Sequence, residues 1–100
     1  MSRIRAETAV IVTNSNIVPA VAGVHVRVSS VYVSADTDMT VTFVNSVTHD
    51  VLWRMYLGAR GGTYQEAKTA RPLFNSAPGE GIDYTTSANG NVFLTLEFKP

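Results

Sequence analysis

The chain has 100 residues, the size of one domain that buries roughly two-thirds of the surface its unfolded form exposes. It has no cysteine, which excludes disulfides and thiolate metal sites and fits a reducing compartment. Eight basic and eight acidic side chains give a formal net charge of zero, which excludes the cationic footprint of a general nucleic-acid or anionic-membrane binder.

Hydrophobic residues make up 45% of the chain, yet no apolar run approaches the roughly 20 residues of a helical membrane span. Arg3 and Arg5 imitate the start of a signal peptide, but Glu7 and Thr8 place polar groups directly after them, and Ala9 to Val12 is too short for the apolar segment. The chain therefore reads as soluble and unprocessed. Only 16% of its residues are charged, so copies repel one another weakly and part of the surface is expected to be covered by a partner.

Val and Thr recur in short alternating runs, which favours strands, because β-branched side chains fit a pleated sheet better than a helix. The first strand is expected at about Glu7 to Thr13, broken by Asn14, Ser15 and Asn16. Pro19 bars a regular central strand nearby, so Ile17 to Ala22 reads as an arm or an edge segment. Gly23 to Ala35 alternates with Val24, Val26 and Val28 on one face. The parity changes after Ser29 and Ser30, which puts Val31 and Val33 on the face of His25 unless a bulge lies near the serines. The bulge is the favoured reading. Asp36, Thr37 and Asp38 form a polar turn before Met39, Val41 and Phe43, and the two segments read as a hairpin.

After a polar connection from Asn45 to Asp50, Val51, Trp53, Met55 and Leu57 form an odd-numbered core face opposite Leu52, Arg54 and Tyr56. Gly58, Gly61 and Gly62 make the next stretch irregular. Gln65 to Ala70 contains helix formers but is too short for a stable helix before Pro72, so a long excursion with at most one helical turn is expected. Pro78-Gly79 signals a turn. Ile82 to Ser87 and Asn91 to Lys99 are the last strands, joined through Asn89-Gly90, a hairpin signal. Val92, Leu94, Leu96 and Phe98 form the final core face. Seven or eight short strands without βαβ alternation make an all-β sandwich.

The chain contains the runs Val31-Tyr32-Val33-Ser34-Ala35-Asp36, Thr40-Val41-Thr42-Phe43, Gly61-Gly62, Pro72-Leu73-Phe74 and Ser76-Ala77-Pro78-Gly79-Glu80-Gly81, with an Asn-Gly turn before the last strand. In these runs it resembles a small jelly-roll protein widespread in tailed-phage structural gene clusters. The similarity covers about Gly23 to Phe98. It implies an antiparallel jelly-roll β-sandwich of about eight strands and a capsid decoration (cement) or other virion accessory role, with several such proteins trimeric. Residues 1–20, which the resemblance does not cover, read as an N-terminal arm and first strand, and residues 21–100 as the sandwich. The bulky stretch His49 to Tyr56 also departs from the family's pattern.

No catalytic constellation stands out. His49 and Asp50 are neighbours and would point to opposite faces of a strand, and no Gly-x-Ser-x-Gly elbow exists. Asp36 and Asp38 lack the glycine and later glutamate of a calcium loop, and His25 and His49 are too few for zinc. Gly58 to Gly62 lacks the ending and the helix of a phosphate loop. No enzyme activity, metal or cofactor is expected.

Interfaces favour Tyr and Arg over Lys and Glu, so Leu52, Arg54, Tyr56 and Phe93, together with Ile17 and Val18, are the candidate interface residues. The function expected is a virion protein assembled in the host cytoplasm. It would associate with itself, as a homotrimer, and with the major capsid protein, and would have no nucleic-acid or membrane partner. The alternative is a receptor- or carbohydrate-binding head on a tail or spike, for which Tyr64 near Arg60 and Glu66 is the candidate cluster.

Overall fold

A computed structural model describes residues 2–8, 10–13, 15–58, 61–66 and 72–99. Their strands are β1 (Ser2–Thr8), β2 (Ser15–Val18), β3 (Arg27–Ala35), β4 (Met39–Asn45), β5 (Val51–Leu57), β6 (Gly61–Glu66), β7 (Phe74–Asn75), β8 (Ile82–Thr86) and β9 (Val92–Lys99). They form two antiparallel sheets. Sheet A has the order β1-β9-β3-β6, with the short β7 also on β3, and sheet B has the order β2-β8-β4-β5.

This order is that of a jelly roll. With β7 set aside, the first strand pairs the last (β1–β9), the second the next to last (β2–β8), the third β6, and the two middle strands pair each other (β4–β5). The chain is one long hairpin, rolled so that β3 also meets β9 and β4 also meets β8. The expected all-β sandwich is therefore present.

The roll changes several local expectations. Among directly successive strands, β4 and β5 form the hairpin. The segments on either side of Asp36–Asp38 lie in different sheets, as do those on either side of Asn89-Gly90, so both connections are arches across the sandwich. Turn chemistry reverses the chain equally well in either setting. The first strand lies earlier than expected, at Ser2–Thr8, and Ser15–Val18 is an edge strand of sheet B. Residues before 20 thus supply one strand to each sheet, and the boundary expected at residue 20 falls within the sandwich. The glycine-rich stretch expected to be irregular contains β6, which pairs residue by residue with Ser30 to Ala35. Small residues there obscured a strand that backbone pairing specifies. The helical turn considered for Gln65 to Ala70 falls mainly outside the described residues.

The core lies between the sheets. Val28, Val31, Val33, Leu94 and Leu96 of sheet A face Val41, Phe43, Met55 and Ile82 of sheet B. The favoured bulge is present: the β3–β9 register shifts between Val28 and Ser30, which returns Val31 and Val33 to the face of Val28. A second bulge corrects the odd-numbered face of β5. Phe43 pairs Trp53 while Val44 pairs Val51, leaving Leu52 as the extra residue, so Val51 is exposed while Met55 and Leu57 are buried. Trp53, expected in the core, is half-buried at its margin. It stacks on Phe74 at 5.7 Å, and Phe74 stacks in turn on Phe43 at 5.7 Å.

Ser76 to Gly81 ties one end of the sandwich together. The buried Ser76 hydroxyl accepts the Val26 N–H at 2.8 Å and donates to the Glu80 carbonyl at 2.7 Å. Gly79, at φ 80°, completes the turn in which Glu80 N–H donates to the Ala77 carbonyl at 3.0 Å. A side chain on Gly81 would run into the backbone of Val18, Pro19 and Ala20. The role of these residues here is to build the fold.

Candidate functional site

The interface residues chosen from sequence separate in space. Ile17 and Val18 are 5% and 3% exposed and belong to the core, so they are removed from the candidate surface. Pro19 only ends β2, and the edge strand before it turns its apolar residues inward. Leu52 is half-buried at the β5 bulge and packs on the core. Arg54 and Tyr56 lie on the outer face of sheet B, and Phe93 lies on the outer face of sheet A. No single flat partner can cover all three.

On sheet B, strand register puts Tyr56 beside Thr40 and Arg54 beside Thr42, with Thr85 next to Thr42. Together with Thr86 and Ser87 these residues line a shallow depression of about 320 Å³. Tyr56 is 75% exposed, and the Arg54 Nε–H donates weakly to Thr42 Oγ1 at 3.4 Å. Among the described residues Arg54 is the one charged side chain lining the depression.

On sheet A, three rows cross β1, β9 and β3. The first is Arg3–Glu97–Ser30, the second Arg5–Thr95–Tyr32 and the third Glu7–Phe93–Ser34. The first row is satisfied internally. Ser30 donates to Glu97 Oε1 at 2.8 Å and Arg3 Nη2 to Oε2 at 3.3 Å, and these bonds hold the Glu97 carboxyl below its ordinary pKa. The other two rows are open. Tyr32 is 45% and Phe93 50% exposed, and with Arg5, Glu7 and Thr95 they line a depression of about 240 Å³. Sequence reasoning missed this group because its residues come from three distant segments. The signal that finds it is shared face parity: Tyr32 faces away from Val31 and Val33, Phe93 from Leu94, and β9 is adjacent to β3.

The polar motifs have structural duties. One oxygen of Asp36 accepts the Asn91 N–H and the other the Asn91 side-chain amide, both at 2.8 Å, which joins two arches. His49 and Asp50 are exposed on the β4–β5 loop, with His49 at φ 62°. Among the described residues no three His, Asp or Glu side chains cluster as a metal site would require. Arg60 of the Tyr64 cluster lies outside the described residues, and so do the side chains of Tyr64 and Glu66. The backbone register places Tyr64 opposite Tyr32.

No family model and no curated protein matches the chain. Solved structures similar in shape include the following two. One comes from work on Bacillus endospore appendages, described as a family of disulfide-linked pili, with TM-score 0.41 and 10% identity, covering 95% of this chain and 84% of that one. The other contains the CBM22-1 and GH10 modules of the Clostridium thermocellum xylanase Xyn10B with xylohexaose. Its TM-score is 0.42 at 18% identity, over 96% of this chain, which spans only 25% of that one. The jelly-roll assignment rests on strand order, not on these distant likenesses.

Proposed function

We propose that the protein is a non-catalytic structural accessory protein of a virion, a capsid decoration (cement) protein. It associates through the outer face of sheet B, as a homotrimer and with the major capsid protein. The observation that carries this reading is Tyr56, a large aromatic 75% exposed on a sheet face whose neighbours are threonines, a serine and one arginine. Interface cores are enriched in Tyr and Arg and depleted in Lys, Glu and Asp, and among the described residues lining this face Tyr56 and Arg54 stand without any Lys, Glu or Asp. Threonine and serine hydroxyls cost little to desolvate if the partner supplies hydrogen bonds. A protein that binds only the assembled lattice stabilises it by mass action. The sequence resemblance supports the virion location.

Mass spectrometry of purified virions with quantified copy number tests this reading. A copy number comparable to that of the major capsid protein supports cement, and absence from virions refutes it. A handful of copies supports the second reading, a receptor- or carbohydrate-binding head, which the exposed Tyr32 and Phe93 on sheet A favour.

A further inference from the structure

We propose that the outer face of sheet A binds an uncharged polysaccharide, with a sugar ring packed on Tyr32 and Phe93 and its hydroxyls bonded by Arg5 and Glu7. This inference rests on the second, carbohydrate-binding reading of these two aromatics and requires neither the trimer nor the virion location. It begins from the register. Tyr32 and Phe93 sit on adjacent strands one row apart, Tyr32 opposite Thr95 and Phe93 opposite Ser34. They therefore form a diagonal pair close enough to be spanned by one ring system. β1 adds Arg5 in the row of Tyr32 and Glu7 in the row of Phe93.

The chemistry is that of a sugar. A pyranose has faces of C–H groups, which pack on aromatic rings, and an edge of hydroxyls, each able to donate and to accept. Arg5 supplies only donors and Glu7, ionised, only acceptors, so the pair serves hydroxyls of both senses. Among the described residues neither side chain makes a hydrogen bond or ion pair, whereas that of the neighbouring Arg3 is engaged by Glu97. One cation and one anion leave the patch neutral, which matches an uncharged ligand and disfavours an anionic one. The depression of about 240 Å³ falls below the ~300–1,000 Å³ of sites that enclose a drug-sized molecule. It suits a chain lying across a sheet. A protein partner fits less well, because it would desolvate Arg5 and Glu7 without ordinarily pairing both.

The test is affinity electrophoresis of the intact protein through gels containing soluble xylan, galactomannan, hydroxyethyl cellulose or dextran, with polygalacturonate as the anionic control. The inference expects retardation by at least one neutral polysaccharide. Tyr32→Ala or Phe93→Ala should weaken it about tenfold or more, and Arg5→Gln or Glu7→Gln should also weaken it, with circular dichroism showing each variant folded at the temperature of the gel. Tyr56→Ala on the opposite face should leave it intact. The inference is overturned by no retardation in any neutral gel, by retardation in polygalacturonate alone, or by retardation that survives both aromatic substitutions. It is equally overturned if Tyr32→Ala and Phe93→Ala convert an oligomer to monomers without affecting sugar binding, since the face would then belong to a second copy.

Discussion

Glu80 and Thr48 lie 32 positions apart, yet one carboxylate oxygen of Glu80 accepts the Thr48 backbone N–H at 2.8 Å. The same oxygen accepts the Val47 N–H at 2.9 Å. The bond from Thr48 is the largest influence holding the Glu80 carboxyl below its ordinary pKa, against an opposing push from partial desolvation. The Glu80 carboxylate thus stands in for a missing strand partner and fixes the β4–β5 loop.

This relationship sets an acid sensitivity. A carboxyl with a lowered folded-state pKa contributes stability that is fully present above its unfolded pKa and is lost as pH falls through the folded value. Glu80 and Glu97 both behave this way. Glu80→Gln should lower the melting temperature at about pH 7, and the gap to the unmodified protein should narrow steadily toward about pH 3. Thermal melts across that range check it, and a gap independent of pH contradicts the role given to the charge.

The aromatic stack makes a graded prediction. Phe74 is buried between Phe43 and Trp53, whereas Trp53 is half-buried. Phe74→Ala should cost about 3–5 kcal/mol, as aromatic truncations in cores do. Trp53→Ala should cost less, about 2–3 kcal/mol, because part of its ring already meets water. A double-mutant cycle should show coupling of about 0.5–1.5 kcal/mol between the stacked rings. Denaturant melts that rank Trp53 above Phe74 contradict this packing.

Two glycines of one loop should respond differently. Gly81 has no room, because a Cβ there collides with the Val18–Ala20 backbone. Gly81→Ala should therefore cost about 3 kcal/mol or more. At Gly79 a Cβ would make only an ordinary contact, with the Gly23 nitrogen at 3.9 Å, but the residue sits at φ 80°, so Gly79→Ala should cost only the left-handed strain, about 1–2 kcal/mol. Equal losses in denaturant melts would show that the close approach of the two chain segments is misplaced.

The faces of the strands were readable in the sequence, and their partners were not. Parity placed Val31, Val33, Met55, Leu57, Leu94 and Leu96 on the core side, and the Ser29–Ser30 irregularity signalled the bulge, because those features belong to one strand at a time. Whether Asp36–Asp38 closes a hairpin or an arch depends on which distant strand reaches β3 first, which local turn chemistry does not encode. The same limit hid β6, whose glycines pair along β3 without any alternation to announce them. It also hid the Tyr32–Phe93 group, which exists only once β9 lies beside β3. Ile17 and Val18 were misplaced for a related reason: a proline after a short strand says where pairing ends and not which way the preceding residues face.

In the proposed assembly the outer face of sheet B, through Tyr56 and Arg54, joins copies of this protein. Because Phe93 lies on the other sheet, a charge at Tyr56 should act and a charge at Phe93 should not. Sedimentation velocity at high protein concentration, on the unmodified protein, Tyr56→Glu and Phe93→Glu, measures this directly. The unmodified protein and Phe93→Glu should sediment as a species three times the 10.8 kDa chain mass, and Tyr56→Glu as a folded monomer. A strictly monomeric unmodified protein, or a trimer indifferent to Tyr56→Glu, would contradict that assembly.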